Sequence, residues 1–150
     1  MEAIDVRNLD NEDKLNELVT EYQKVFTRID ECSEQLREGV YETGQDYQKL
    51  LTELTGIYMS LSPICEVLDA EKQNQEYRAF NQIKIDTEKT SDKKFVASAA
   101  DKEAGEKVSQ IRWVRNLFSG YVDATKVAIN SCQSIMRYLG DERRMVGQTD

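Results

Sequence analysis

Lys93, Lys94 and Phe95 stand side by side in the stretch SDKKFVASAADKEAGEKV, residues 91–108 of an otherwise acidic chain. Near them in sequence lie Lys84, Lys89, Lys102, Lys107 and Arg112, interleaved with Phe80 and Trp113. Cationic side chains that follow phosphates, combined with aromatic faces on which bases stack, are the means of sequence-independent binding to single-stranded nucleic acid. Asp86, Glu88, Asp92, Asp101, Glu103 and Glu106 are mixed among them. Such a patch is weak in one copy and gains from repetition in an oligomer through multivalency. The plainer reading is a solvated loop in which Phe95 is a hydrophobic anchor.

Other chemistry has little to work with. The chain has no histidine, the commonest general base and metal ligand. Cys32, Cys65 and Cys132 are far apart, without the paired spacing of a zinc site, and each falls among apolar positions as a small core residue would. The segment SGYVDATK lacks the spacing of a phosphate-cradling loop. Glu66 and Asp69 sit one helical turn apart, and a solvated face explains them. The chain therefore reads as a non-enzyme with no catalytic residue, metal or cofactor.

At 150 residues the chain is most simply one domain. Its 39% hydrophobic and 32% charged residues suit a helical core, and one proline with seven glycines are too few for a sandwich of many short strands. The net charge of −8 argues against a protein whose whole surface coats nucleic acid. The charge is uneven: residues 1–75 carry 7 Lys and Arg against 17 Asp and Glu, whereas residues 76–150 carry 13 against 11. Binding responds to the local field, so the second half is where an anion would go. The N-terminus MEAIDVRNLDNEDK lacks the apolar run of a signal peptide, and no stretch has the roughly 20 apolar residues of a membrane span. These features are those of a protein of a reducing cytoplasm that does not enter membranes.

The elements that must position these residues read as helices. Residues 1–10 form a flexible lead-in, and Asp10 or Asn11 can cap a first helix. Leu15, Leu18, Tyr22, Val25, Ile29, Cys32 and Leu36 then recur at spacings of three and four until Gly39 ends the run. A second seam holds Tyr47, Leu50, Leu54, Ile57, Leu61, Ile64 and Leu68, with a break or kink expected at Pro63. Residues 11–80 make up an acidic helical half. Around 81–100 the pattern weakens, and Ile83 and Ile85 allow an irregular or extended arm, a strand, or a continued polar helix.

A long final helix is expected over 101–144, capped by Asp101. Its seam is Ala104, Val108, Ile111, Arg115, Phe118, Val122, Thr125, Ile129, Cys132, Met136 and Leu139. A second stripe holds Trp113, Leu117, Tyr121, Ala124, Ala128, Ile135 and Tyr138. A helix apolar on two faces needs more than one neighbour, so self-association is the natural way to cover it. The expected oligomer interface is Val108, Ile111, Trp113, Arg115, Phe118, Tyr121, Val122, Ile129 and Ile135. Arg115 in an apolar seam is either a paired, register-setting residue or one that snorkels to the edge.

The C-terminal third carries a resemblance. KFVASAADK, leading into a long helix with FSGYVDATKVAINSCQSIMR, resembles the UvsY-type recombination mediators of tailed phages. The features that match are Ser98 and Ala99 followed by Asp101 and Lys102, then Phe118-Ser119-Gly120, Asp123-Ala124, Ala128-Ile129 and Met136-Arg137. The likeness covers roughly residues 93–139; the first half matches only in length and helical character. The resemblance implies a small helical protein that assembles as a ring and binds single-stranded DNA. It also implies that the protein helps load a RecA-like recombinase onto strands covered by single-strand-binding protein, in the cytoplasm of a phage-infected bacterium. The acidic first half departs from that pattern. The nucleic-acid-binding residues expected are Lys84, Lys89, Lys93, Lys94, Phe95, Lys102, Lys107 and Arg112. The competing readings are a helical phage virion or assembly protein and an acidic adaptor that binds a basic host protein. In fold class the expectation is an all-α, elongated long-helix protein with coiled-coil-like packing.

Overall fold

The structure, a computed structural model, describes Leu9 and residues 11–90 and 94–147. Four helices account for nearly all of these: α1 (Glu12–Glu38), α2 (Gly44–Lys89), α3 (Ala97–Lys107) and α4 (Ser109–Gly147). No strand occurs among the described residues, and the all-α expectation holds.

Local chemistry accounts for the ends. Asn11 Oδ1 accepts from the Asp13 amide at 2.8 Å, capping α1, with Glu12 and Asp13 at the positive end of the helix dipole; the alternative cap, Asp10, lies outside the described residues. Gly39 adopts φ +68°, and the amides of Gly39 and Val40 both return to the Gln35 carbonyl, at 3.1 and 3.3 Å. That left-handed turn suits glycine and satisfies a carbonyl that would otherwise be orphaned. Thr43 and Asp46 form a reciprocal box at the start of α2: Asp46 N–H donates to Thr43 Oγ1 (3.2 Å) and Thr43 N–H to Asp46 Oδ2 (3.2 Å).

Two expectations about α2, a break at Pro63 and an arm starting at residue 81, are corrected. The helix runs through Pro63 without a break. Pro63 and Met59 are both exposed, so the Met59 carbonyl that has no donor is on the side where water can serve it. Nor does an extended arm begin at residue 81: α2 continues to Lys89, because Ala79, Phe80 and Ile83 keep the helical phase and pack against Ala100 and Ala104 of α3.

The single C-terminal helix is also corrected. Asp101 lies inside α3, whose N-cap is Val96 in an extended conformation. Val108 leaves the helical region (φ −107°, ψ 23°), ends α3 and gives its carbonyl to the Arg112 amide as α4 begins. Its side chain is nonetheless buried, so the heptad phase carries across the turn.

The chain packs as two compact units: α1 up to Glu21, α2 from Ile64, α3 and α4 up to Leu117 in one; Tyr22–Pro63 and α4 from Phe118 in the other. Neither unit is a continuous stretch of chain.

In the second unit α1 and α4 meet around a ring cluster. Phe26 stacks on Tyr121 (4.3 Å, 10°) and meets Phe118 edge-on (5.1 Å, 81°), and Tyr22 meets the same Phe118 at 5.5 Å. Beyond it Cys32, Tyr47, Leu50, Leu54, Ala128 and Cys132 form one buried cluster. Burial pushes the Cys32 and Cys132 thiols above their ordinary pKa, as expected for small core residues. At the edge Arg28 clamps Glu53 with two bonds, Nε to Oε1 at 2.6 Å and Nη2 to Oε2 at 2.9 Å. In the first unit Leu15, Leu18, Leu68, Ile111 and Val114 are buried.

This packing overturns most of the expected oligomer interface. Val108, Ile111, Phe118 and Val122 are buried within the chain's own core, so none of them faces outward. Ile129 and Ile135 pack on the Cys32–Cys132 cluster, and Tyr121 stacks on Phe26 and donates its hydroxyl to Asp30 at 3.0 Å. Arg115 is half-buried and paired inside its own chain: Nε lies 3.0 Å from Asp69 Oδ1, too poorly aligned to count as a hydrogen bond. Only Trp113, 53% exposed, stays open to solvent. The chain's own packing buries Val108, Ile111, Phe118, Val122, Thr125 and Cys132 of the first stripe, while Trp113, Ala124 and Tyr138 of the second stay exposed.

Candidate nucleic-acid interface

The basic residues of interest belong to the first unit, along α2, α3 and the first turns of α4. The small side chains of Ala100 and Ala104 let α3 lie against α2 at Ala79, Phe80 and Ile83. Lys89 stands in the last turn of α2, at the negative end of its dipole, where a cation is stabilised. Lys94 follows in the connecting segment and Lys102 sits on the outer side of α3; all three are exposed. No ion pair involves Lys89, Lys94 or Lys102 among the described residues, so their charge is available to a ligand. Lys93 lies outside the described residues.

The first turn of α3 adds to this. Its N-cap, Val96, makes no side-chain hydrogen bond to the helix, and Ala97, Ser98 and Ala99 are exposed. Amides at a helix start that lack a cap are positive and open, which suits an anion beside lysines.

The remaining expected residues are already engaged. Phe95 packs edge-on against Phe80 (5.7 Å, 83°), belongs to the Ile83–Ala100–Ala104 cluster and lies under Lys84 Nζ at 5.9 Å from its centroid. The ring that sequence offered to a base is thus first an anchor of the α2–α3 turn. Lys107 pairs with Glu103 at 3.7 Å, a solvent-exposed contact of small worth. Arg112 Nη2 donates to Glu76 Oε1 at 3.1 Å, and Lys72 Nζ reaches the same oxygen at 3.7 Å. Gly105 makes room for that guanidinium: a Cβ there would stand 2.8 Å from Arg112 Nη2.

Beside this pair a groove of about 510 Å³ runs between α2 and α3, lined by Gln73, Tyr77, Phe80, Asn81, Asp101 and Arg112 among others. Tyr77 is 69% exposed in it and is the aromatic residue that sequence reasoning missed. Its signal was present, since Gln73, Tyr77, Phe80 and Asn81 share one helical stripe at the end of the expected helical half. No group of three or more Cys, Asp or Glu able to hold a metal occurs among the described residues.

The arrangement is a helical scaffold with three lysines that make no ion pair among the described residues, at the end of α2, in the α2–α3 connection and on α3, with acidic residues near them in sequence. No helix among the described residues is long and apolar enough to cross a membrane. No protein-family model, curated protein or solved structure matches the chain.

Proposed function

We propose that the protein binds single-stranded DNA without sequence preference and acts, in a self-assembled form, as a recombination mediator that helps load a RecA-like recombinase onto strands covered by single-strand-binding protein. The observation that carries the reading is the set Lys89, Lys94 and Lys102, exposed and without an ion pair among the described residues, which brackets the uncapped start of α3 in the chain. The resemblance of residues 93–139 to the UvsY-type mediators supplies the biological role. The acidic residues near the lysines weaken the field of one copy, so affinity depends on several copies acting together.

Fluorescence anisotropy with labelled single-stranded DNA tests this at low and moderate salt. Replacing Lys94 and Lys102 by alanine should weaken binding for all sequences alike. Each phosphate that the variant no longer neutralises should lower the log–log salt slope by about 0.7. Wild-type binding that is absent even at low salt overturns the proposal and moves the reading to a helical virion or assembly component. One observation favours a second reading. Glu12, Asp13, Glu17, Glu21, Glu31, Glu34 and Glu38 are all exposed on α1, a surface suited to a basic protein partner.

A further inference from the structure

We propose that two copies of this chain pair antiparallel through the outer face of α4 in the second unit, with a two-fold axis near Asn130. This deepens the self-assembly in the reading above and is independent of DNA binding.

The face in question is the one that neither α1 nor α2 covers. Gly120, Ala124, Val127, Ser131, Ser134 and Tyr138 follow one another at alternating steps of four and three, the spacing of a coiled-coil seam. Five of them are exposed and Ser131 is half-buried, with Val127 at 65% and Tyr138 at 64%. A groove of about 600 Å³ beside Val127 and Ser131, walled by Leu36 and Arg37 of α1, is open to receive a side chain.

The occupant follows from size and charge. In an antiparallel pair centred between positions 129 and 130, Tyr138 of each copy lies over Gly120 of the other, the largest residue of the seam against the smallest. Val127 meets the other copy's Ser131 beside the groove, and Ala124 meets Ser134. The flanking positions agree. Asp123 and Arg137 lie seven residues either side of Asn130, so each Asp123 faces an Arg137 across the axis, and Asn130 faces itself. A parallel pair would satisfy neither match.

The net charge of −8 opposes association over most of the surface, but α4 from Phe118 to Gly147 carries four basic and three acidic residues, so this face can approach its own copy. The small seam residues permit close approach of the two backbones. A two-fold contact of this kind is closed and self-complementary.

Sedimentation equilibrium of the full chain across the micromolar range tests the proposal. Wild type should sediment at twice the 17.3 kDa monomer mass. Asp123→Arg should weaken the pair by about tenfold or more, since like charges then face each other at both ends. Asp123→Arg with Arg137→Asp should restore it, which only the antiparallel register predicts. Gly120→Gln should also yield monomer while keeping or raising the melting temperature, because a Cβ at Gly120 meets nothing within 4 Å in its own chain. A wild-type monomer throughout, an indifferent Asp123→Arg variant, or a double variant that stays monomeric overturns the proposal. DNA binding measured on the same variants separates the fate of this interface from that of the nucleic-acid reading: a wild-type monomer that still binds DNA sinks the pairing and the self-assembly but leaves DNA binding standing, whereas a wild-type dimer that binds no DNA keeps the pairing and sinks the nucleic-acid reading.

Discussion

Replacing Phe26 by alanine should remove the ring that contacts Tyr22, Phe118 and Tyr121 in the second unit. The side chain is 1% exposed, stacks on Tyr121 at 4.3 Å and meets Phe118 edge-on at 5.1 Å. Deleting a buried phenylalanine costs about 3–5 kcal/mol, through forfeited transfer free energy and the cavity left behind. A chain of this size is stable by about 5–15 kcal/mol, so the cost is a third or more of the total in most of that range. At about 2–4 °C per kcal/mol, the melting temperature should fall by roughly 6–20 °C. Urea unfolding followed by circular dichroism should show a lower midpoint with an unchanged slope, the mark of reduced stability in an unaltered fold. The interaction with Tyr121 can be isolated by a double-mutant cycle with Tyr121→Ala, where ring–ring geometry predicts a coupling of about 0.5–1.5 kcal/mol. A destabilisation below about 1 kcal/mol for Phe26→Ala, or no coupling to Tyr121, would refute the idea that this ring cluster organises the unit.

Three further outcomes are expected. Phe95→Ala should lower the melting temperature by removing the packing on Phe80, while the DNA affinity of the folded protein stays within about twofold, against the drop of about 1–3 kcal/mol that a stacking ring would show. Arg115→Leu should change stability by less than about 1 kcal/mol, because its pair with Asp69 is a third exposed on both sides and screened, and native mass spectrometry should show the same assembly as wild type. The bond from Arg28 holds the Glu53 carboxyl below its ordinary pKa, and its bonds with Thr43 do the same for Asp46. Groups with depressed folded-state pKa values stabilise the fold above their ordinary carboxylate range, and that contribution disappears as pH falls through the depressed values. Melting temperature should therefore drop on acidification below that range, and Glu53→Gln should make the drop shallower; a wild-type acid limb that Glu53→Gln leaves unchanged would remove Glu53 from the account.

The helical phase was legible in the sequence because each helix buries one stripe, and three-four spacing is the direct imprint of that stripe. Leu15, Leu18, Ile29, Leu50, Leu54, Leu61, Leu68, Val108, Ile111 and Phe118 were placed by spacing alone and are buried. So were the helix stop at Gly39 and the cap at Asn11, since both act within a few residues. The basic set was legible as composition, but its state was not. Whether a lysine is free or an arginine paired depends on residues distant in sequence: Glu76 lies 36 residues from Arg112. Phe95 was undecided for the same reason, because its partner Phe80 comes within reach only when α3 lies against α2. Tertiary packing also carried α2 to Lys89 where local preference wavered: burying Ile83 against Ala100 and Ala104 favours the helix over an arm. It moved the α4 residues thought to meet other copies into the chain's own core, because spacing reports that a face is apolar but not which neighbour covers it. The first predicted stripe is largely covered within the chain, whereas Ala124 and Tyr138 of the second stay exposed and share an open face with Gly120, Val127 and Ser134, residues mostly too small or polar to stand out by hydropathy.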